Sequence, residues 1–158
     1  RGGTILGAAN RWNPYARKVI RDGKEITVDV SDEIVKGIKK LKMDALLVLG
    51  GDGTLHIAHE LFQKGVPVIG LPKTIDNDIG GTEVTFGFDT ALNIATEALV
   101  RLHTTAESHH RAMVLELMGR DAGFIALQAG VSGGADVILI PEIPFKFESV
   151  MVKIRERA

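Results

Sequence analysis

Ala45-Leu46-Leu47-Val48-Leu49-Gly50-Gly51-Asp52-Gly53-Thr54-Leu55 decides the reading of this chain. An apolar run stops at two glycines. An acid, a third glycine and a threonine follow, and a helical pattern begins at Leu55. That order predicts a strand, a tight turn and a helix start, the place where open α/β sheets hold ligands. Gly50, Gly51 and Gly53 let backbone approach a ligand with no Cβ in the way. Amides in the first turn of a helix favour an anion such as phosphate. Asp52 beside phosphate is a contradiction unless a cation stands between them, and Mg²⁺ takes carboxylate and phosphate oxygens together. A tight glycine turn with a solvated aspartate is the other reading of the same residues.

Working outward, the elements alternate. Ser31 is an N-cap candidate for a helix with Asp32 and Glu33 in its first turn and Ile34, Val35, Ile38 and Leu41 on one face. The lysines Lys36, Lys39, Lys40 and Lys42 read as a solvated face. A helix from Leu55 to Lys64 is ended by Gly65, and Val66 to Leu71 reads as a buried strand. Strand, helix and strand this close imply a right-handed parallel crossover. Further helices are expected over Thr85 to Thr105, over Ala122 to Val131 and from Phe147 onward, with strands around Val114 to Leu117 and Val137 to Ile140. Upstream, Thr4 to Gly7 reads as a short strand or packed loop. Asn13-Pro14 signals a turn or helix start, with a short helix over Tyr15 to Arg21. Asp22-Gly23 reads as a turn, and Glu25 to Val30 as extended. The fold class expected is α/β, a doubly wound, mostly parallel sheet flanked by helices.

Composition sets bounds. At 158 residues with 45% hydrophobic and 25% charged side chains, the chain suits one domain with a real core. A net charge of −1 gives no basic footprint for nucleic acid, and no run is long enough to span a membrane. The absence of cysteine excludes disulfides and thiolate metal sites and fits a reducing compartment, so a cytoplasmic location is expected. The chain begins at Arg1 rather than methionine and closes on an uncapped charged helix, which reads as a piece of a longer polypeptide.

Three turns follow successive expected strands: Gly50 to Thr54, Pro72 to Asp78 and Met118 to Asp121. In a doubly wound sheet those ends share an edge, so Asp52, Asp76, Asp78 and Arg120 are expected to converge. Phosphoryl transfer to a hydroxyl needs a base near the acceptor and positive charge around the transferred group. Asp76 is a candidate base, Thr74 a phosphate donor and Lys73 a cation for developing charge. Asp76-Asn77-Asp78 also reads as an Asx-rich turn. Arg120 suits bidentate phosphate contact, or a surface ion pair with Asp121. His103, His109 and His110 read as polar surface, Asp89 and Glu97 as helix-surface charges, Phe86 and Phe88 as core, and Trp12 and Tyr15 as packing or exposed rings.

These motifs carry a resemblance. Gly50 to Thr54 (GGDGT), Pro72 to Asp78 (PKTIDND) and Met118 to Arg120 (MGR) resemble the 6-phosphofructokinases. Gly2 to Gly7 (GGTILG), Phe86 to Ala91 (FGFDTA) and Ser108 to Arg111 (SHHR) fit the same pattern. The resemblance spans essentially the whole chain. GGDGT alone is shared with NAD and diacylglycerol kinases; the second and third motifs are more specific. The resemblance implies Mg²⁺-dependent transfer to the 1-hydroxyl of fructose 6-phosphate. Asp52 would hold Mg²⁺, with Gly51, Gly53, Thr54, Arg17 and Lys73 around the donor. Thr74 and Asp76 would flank the reacting groups, with Asp76 as base, and Asp78 would support Mg²⁺ or substrate positioning. Met118, Gly119 and Arg120 would line the sugar-phosphate site, and Arg111 would reach that of a neighbouring subunit, implying a homo-oligomer, dimer or tetramer. ATP users typically carry glycine at position 53, whereas pyrophosphate users carry aspartate there and lysine at position 73. Gly53 with Lys73 is a mixed pattern that favours ATP, because an aspartate would place bulk and negative charge in the path of an α-phosphate. Asp136 falls where regulated members carry an effector-site glutamate. The resemblance also implies a preceding glycine-rich strand-turn and a following half that lie outside this chain. A non-catalytic phosphate-binding or assembly module is the reading of a different class.

Overall fold

The computed structural model describes Ile5, Gly7 and residues 12–157, so the expected strand over Thr4 to Gly7 lies largely outside the described residues. The chain divides into two compact units, residues 1–71 and 72–158.

The first unit opens with a hairpin. β1 Arg17–Arg21 pairs antiparallel with β2 Lys24–Val28, Val19 opposite Ile26. This corrects the short helix expected over Tyr15 to Arg21. Asp22 and Gly23 both have positive φ, 52° and 72°, the conformation of the two-residue turn that matches strand twist. Val19 and Ile20 are β-branched, and pairing across that turn outweighs the helix-start signal of Asn13-Pro14.

α1 Ser31–Lys40 follows, but Ser31 is its first helical residue, not its cap; Val30 holds the cap position without a side-chain bond. Asp29 takes that role instead. Its carboxylate accepts from the Ser31 N–H at 2.8 Å and from the Ser31 hydroxyl. β3 Leu46–Gly50 then leads directly into α2 Asp52–Gln63, three residues earlier than the apolar periodicity suggests. Gly65, at φ 85°, ends that helix as expected. The Lys64 ammonium beside it reaches back to α1, donating to Ser31 Oγ at 2.6 Å and Asp32 Oδ1 at 2.7 Å. It also lies 5.7 Å from the centre of the Tyr15 ring, so Tyr15 is a packing residue.

β4 Val68–Thr74 continues through Pro72-Lys73-Thr74, so the first three residues of the second motif are strand rather than turn. Gly70 lets it lie close to α2: a Cβ there would sit 2.9 Å from Leu55 Cδ2. The parallel sheet has the order β3-β4-β5, where β5 is the two-residue Phe86–Gly87, paired with Lys73 and Thr74.

In the second unit, α3 Phe88–His109 packs on α4 Phe124–Gly133, and α5 Phe147–Arg157 follows. The core is Phe88, Ala95, Ile125 and Ala129, with Ile75, Ala91, Leu92 and Leu117 against it. Phe88 is core as expected, but Phe86 is 63% exposed. Strands were expected at Val114 to Leu117 and Val137 to Ile140; neither segment is strand here. A strand exists only through the ladder of a partner, and among the described residues neither segment has one. Val114 is accordingly 91% exposed.

The Ser31 hydroxyl and amide, with Lys64 nearby, hold the Asp29 carboxyl below its ordinary range. A depressed carboxyl contributes stability above its unfolded value and loses it as pH falls through the folded one. Asp29→Asn, which keeps an acceptor but does not titrate, is expected to flatten the stability loss below about pH 4, read by urea unfolding across pH. An unchanged acid slope would count against the cap.

Candidate functional site

The candidate residues stand on three backbone turns, one in the first unit and two in the second, each fixed by a different device. In the first unit, Gly51 is the cap of α2 and Asp52 its first residue, exposed and without an ion pair among the described residues. The neighbouring glycines differ in kind. A Cβ on Gly50 would lie 2.5 Å from Thr54 Cβ, so the turn cannot admit one. A Cβ on Gly53 would meet nothing within 4 Å. Glycine in a helix is about 1 kcal/mol worse than alanine, so packing gives no reason for Gly53. Thr54 is exposed on the same first turn, and Arg17 is exposed on β1.

In the second unit the Thr74 to Thr85 loop is clamped by Asn77, a residue the sequence reading treated only as part of a turn. Asn77 has φ 57°; its Oδ1 accepts from the Thr85 N–H at 2.8 Å and its Nδ2 donates to the Glu83 carbonyl at 3.4 Å. The buried Thr85 hydroxyl donates to the Thr74 carbonyl at 2.8 Å. Asparagine is one of the few side chains that tolerates the left-handed region, the one signal that could have singled it out. The clamp presents the residues around it. The Asp76 N–H donates to Thr74 Oγ1 at 3.2 Å, which leaves the Thr74 hydroxyl proton without an acceptor among the described residues. Asp76 Oδ1 is buried with no hydrogen-bond partner among the described residues. Lys73 and Asp78 are exposed, neither in an ion pair among the described residues.

The third turn is tighter still. Gly119 has φ 146°, and a Cβ there would lie 2.1 Å from the Ala122 carbonyl oxygen. Arg120, at φ 52°, is a second consecutive residue in the left-handed region. Met118 is exposed, and an open hollow is lined by Glu116, Leu117, Met118, Gly119 and Arg120. Arg120 Nε lies 3.1 Å from Asp121 Oδ2 with both side chains exposed, so the surface ion pair forms and leaves the guanidinium accessible. Ile75, next to Asp76, and Leu117, next to Met118, pack on the same apolar cluster, so one core anchors both turns. Arg111 leaves α3 just past His110, which caps the helix at φ 48°, and its side chain is exposed.

Among the described residues no three His, Cys, Asp or Glu side chains gather into a metal-binding group. Asp52 offers one exposed carboxylate on the first turn of α2, the kind of single protein ligand that Mg²⁺ takes beside phosphate oxygens. His109 Nδ1 lies 3.2 Å from the Thr105 carbonyl, and Glu97 pairs with Arg101 on the surface of α3.

The phosphofructokinase family model matches residues 1–158. The chain belongs to the phosphofructokinase family. ATP-dependent 6-phosphofructokinase 2 of Clostridium perfringens is 58% identical over 99% of this chain and 43% of its own length. A pyrophosphate–fructose 6-phosphate 1-phosphotransferase of Amycolatopsis methanolica is 52% identical over the same shares. The crystal structure of Pichia pastoris phosphofructokinase in the T-state matches 79% of this chain and 14% of that one, with a TM-score of 0.71 and 29% identity. The chain thus spans 43% of the length of these curated relatives. No helix among the described residues is long and apolar enough to cross a membrane.

The two glycines yield opposite expectations for stability. Gly50→Ala should cost about 1–3 kcal/mol through overpacking against Thr54. Gly53→Ala should gain about 0.5 kcal/mol through helix propensity. Denaturant melts of the two variants read both; a loss at Gly53 equal to that at Gly50 would mean that the space beside it is not free.

Proposed function

We propose that this chain is part of the catalytic domain of a 6-phosphofructokinase that moves the γ-phosphoryl group of ATP to the 1-hydroxyl of fructose 6-phosphate. The observation that carries the proposal is Asp76 Oδ1, a buried carboxylate oxygen with no donor among the described residues, held in a loop clamped by Asn77. Leaving such an acceptor unpaired costs about 1–3 kcal/mol, a strain the fold has no need of. It supports the reading of Asp76 as the base. As the oxygen–phosphorus bond to the sugar forms and the bond to ADP breaks, the hydroxyl proton passes to the Asp76 carboxylate.

The Thr74 hydroxyl donates to a phosphoryl oxygen, and Lys73 balances the charge that develops on it. Asp78 positions the substrate. Met118, Gly119 and Arg120 receive the sugar phosphate, with the Arg120 guanidinium as the bidentate donor. Arg111 serves the corresponding site of a second copy in a homo-oligomer. In the donor site, Asp52 holds Mg²⁺ together with phosphate oxygens, while Gly51 and Thr54 offer first-turn groups and Arg17 a further cation. When bound, Mg²⁺ neutralises phosphate charge. The cytoplasm is the compartment this activity and the cysteine-free chain fit best.

ATP is preferred as donor because Gly53 has no packing reason to be glycine, and an empty space there admits an α-phosphate. Pyrophosphate is the second reading: Lys73 is exposed and free of ion pairs among the described residues, and a relative at 52% identity carries that name.

Two measurements on the full-length polypeptide test this. Asp76→Ala is expected to lower phosphorylation by about 10²–10⁴-fold, with sugar-phosphate binding kept and stability equal or higher because the unpaired acceptor is gone. A fall below tenfold would remove Asp76 as the base. Gly53→Asp is expected to lower kcat/KM with ATP at least about tenfold relative to pyrophosphate. Turnover of the unaltered enzyme with pyrophosphate alone would overturn the donor assignment, and turnover with neither would favour a non-catalytic module.

A further inference from the structure

Glu142 has no part in the roles assigned above. It follows Ile140-Pro141, 19 residues beyond Gly123, and its Oε1 accepts from the Gly123 N–H at 2.7 Å. Gly123 is the cap residue of α4. The first amides of a helix have no acceptor within it, and a carboxylate there is favoured by the aligned backbone dipoles. The contact is close: a Cβ on Gly123 would lie 2.5 Å from Ile140 Cβ and 2.7 Å from Glu142 Oε2.

This tether sits at one end of the turn that carries Arg120. At the other end Leu117 is packed on the apolar cluster. Between them the turn is closed by the Ala122 N–H donating to the Gly119 carbonyl at 2.9 Å. Its two consecutive positive-φ residues include one that is not glycine, and such backbone persists only where its surroundings over-determine it. The Arg120 side chain does not supply that restraint, since its ion pair is with the adjacent, exposed Asp121. The direction of Arg120 is therefore set by the backbone on either side: Leu117 before it, and Gly123 held by Glu142 after it.

We infer that Glu142 is a positioning residue for sugar-phosphate recognition. By holding the Gly123 N–H it fixes the Gly119 to Gly123 turn, and through that turn the Arg120 guanidinium, without touching substrate. The inference rests on the assignment of Arg120 to the sugar phosphate, so the experiment separates the two.

The full-length enzyme is made with Glu142→Ala, Glu142→Gln, Glu142→Asp and, as control, Arg120→Ala. Amide hydrogen exchange over residues 119–124 reads the tether; KM and kcat read the substrate. Glu142→Ala should speed exchange in that segment and raise KM for fructose 6-phosphate, each about tenfold, while kcat and the KM for ATP stay within about twofold. Glu142→Gln, whose amide oxygen still accepts, should restore both readouts. Glu142→Asp, one methylene shorter, should fall between and keeps the test open if the alanine variant does not fold. Unchanged local exchange, or exchange rising evenly across the whole second unit with kcat and both KM values worsening together, would overturn the inference. If Glu142→Ala loosens the turn but Arg120→Ala leaves KM for fructose 6-phosphate unchanged, the Arg120 assignment fails and the substrate role of Glu142 fails with it. If Arg120→Ala raises KM while Glu142→Ala does not, only the positioning role fails.

Discussion

The second unit depends on how closely α3 and α4 approach. Ala95 and Ala129 are almost fully buried at their contact. Farther along, a Cβ on Gly133 would lie 2.6 Å from Leu99 Cδ2, and one on Gly130 would lie 2.7 Å from Ile138 Cδ1. Ala95, Ala129 and Gly133 let α3 and α4 pack closely, while Gly130 makes room for Ile138 in the segment after α4. Phe88 and Ile125 then fill the space left at the near end. Interiors pack at crystal-like density, so a side chain larger than these would push the helices apart. The consequence reaches the chemistry, because Ile75 and Leu117 complete the same cluster and each precedes a motif residue. Two turns distant in sequence take their positions from one set of apolar contacts.

From that base, polar devices aim the turns. Asn77, His110 and Arg120 all hold positive φ, and each stands within or beside a motif. The three are supported differently. Asn77 secures its own conformation through both side-chain amide bonds. His110 closes α3 with the Arg111 N–H donating to the Ala106 carbonyl at 3.0 Å. Arg120 relies on Gly119 and the tether at Gly123. Left-handed backbone costs a non-glycine residue about 1–2 kcal/mol, so three such positions near candidate ligand contacts put strain where recognition needs a fixed geometry.

Legibility in the sequence followed the range of the forces involved. The β3-turn-α2 stretch was readable because an apolar run, glycines and a helical repeat are all local. Gly65 as a helix terminator was readable for the same reason. The hairpin was misread because Asn13-Pro14 is a helix-start signal, while the deciding Val19 to Ile26 pairing depends on Asp22-Gly23 adopting positive φ. The strand patterns at Val114 to Leu117 and Val137 to Ile140 are real as apolar runs, but a ladder is a property of two segments and cannot be read from one. Asp29 as cap was hidden by Ser31, a better cap by residue type that sits inside the helix instead. Asp76, Thr74 and Arg120 stood out through motif chemistry. Asn77 and Glu142, which hold the turns in place, did not, because their partners lie 8 and 19 residues away and no spacing rule links them.

Glycines show most clearly what geometry adds. A sequence pattern treats Gly50, Gly51 and Gly53 as one phosphate-binding turn. The structure separates them by what a side chain would meet. Gly50 is required by Thr54 and Gly119 by the Ala122 carbonyl. A substitution at either of these would be opposed by the fold whether or not a ligand ever bound. Gly53 has open space and a helical position, where alanine would improve the helix. Gly37 inside α1 is equally open, so what distinguishes Gly53 is its place beside Asp52 on the first turn of α2. The anionic ligand of the proposed function, passing the first turn of α2, would account for Gly53 and for Asp52 beside it, since a bound cation would make the acid and the phosphates compatible.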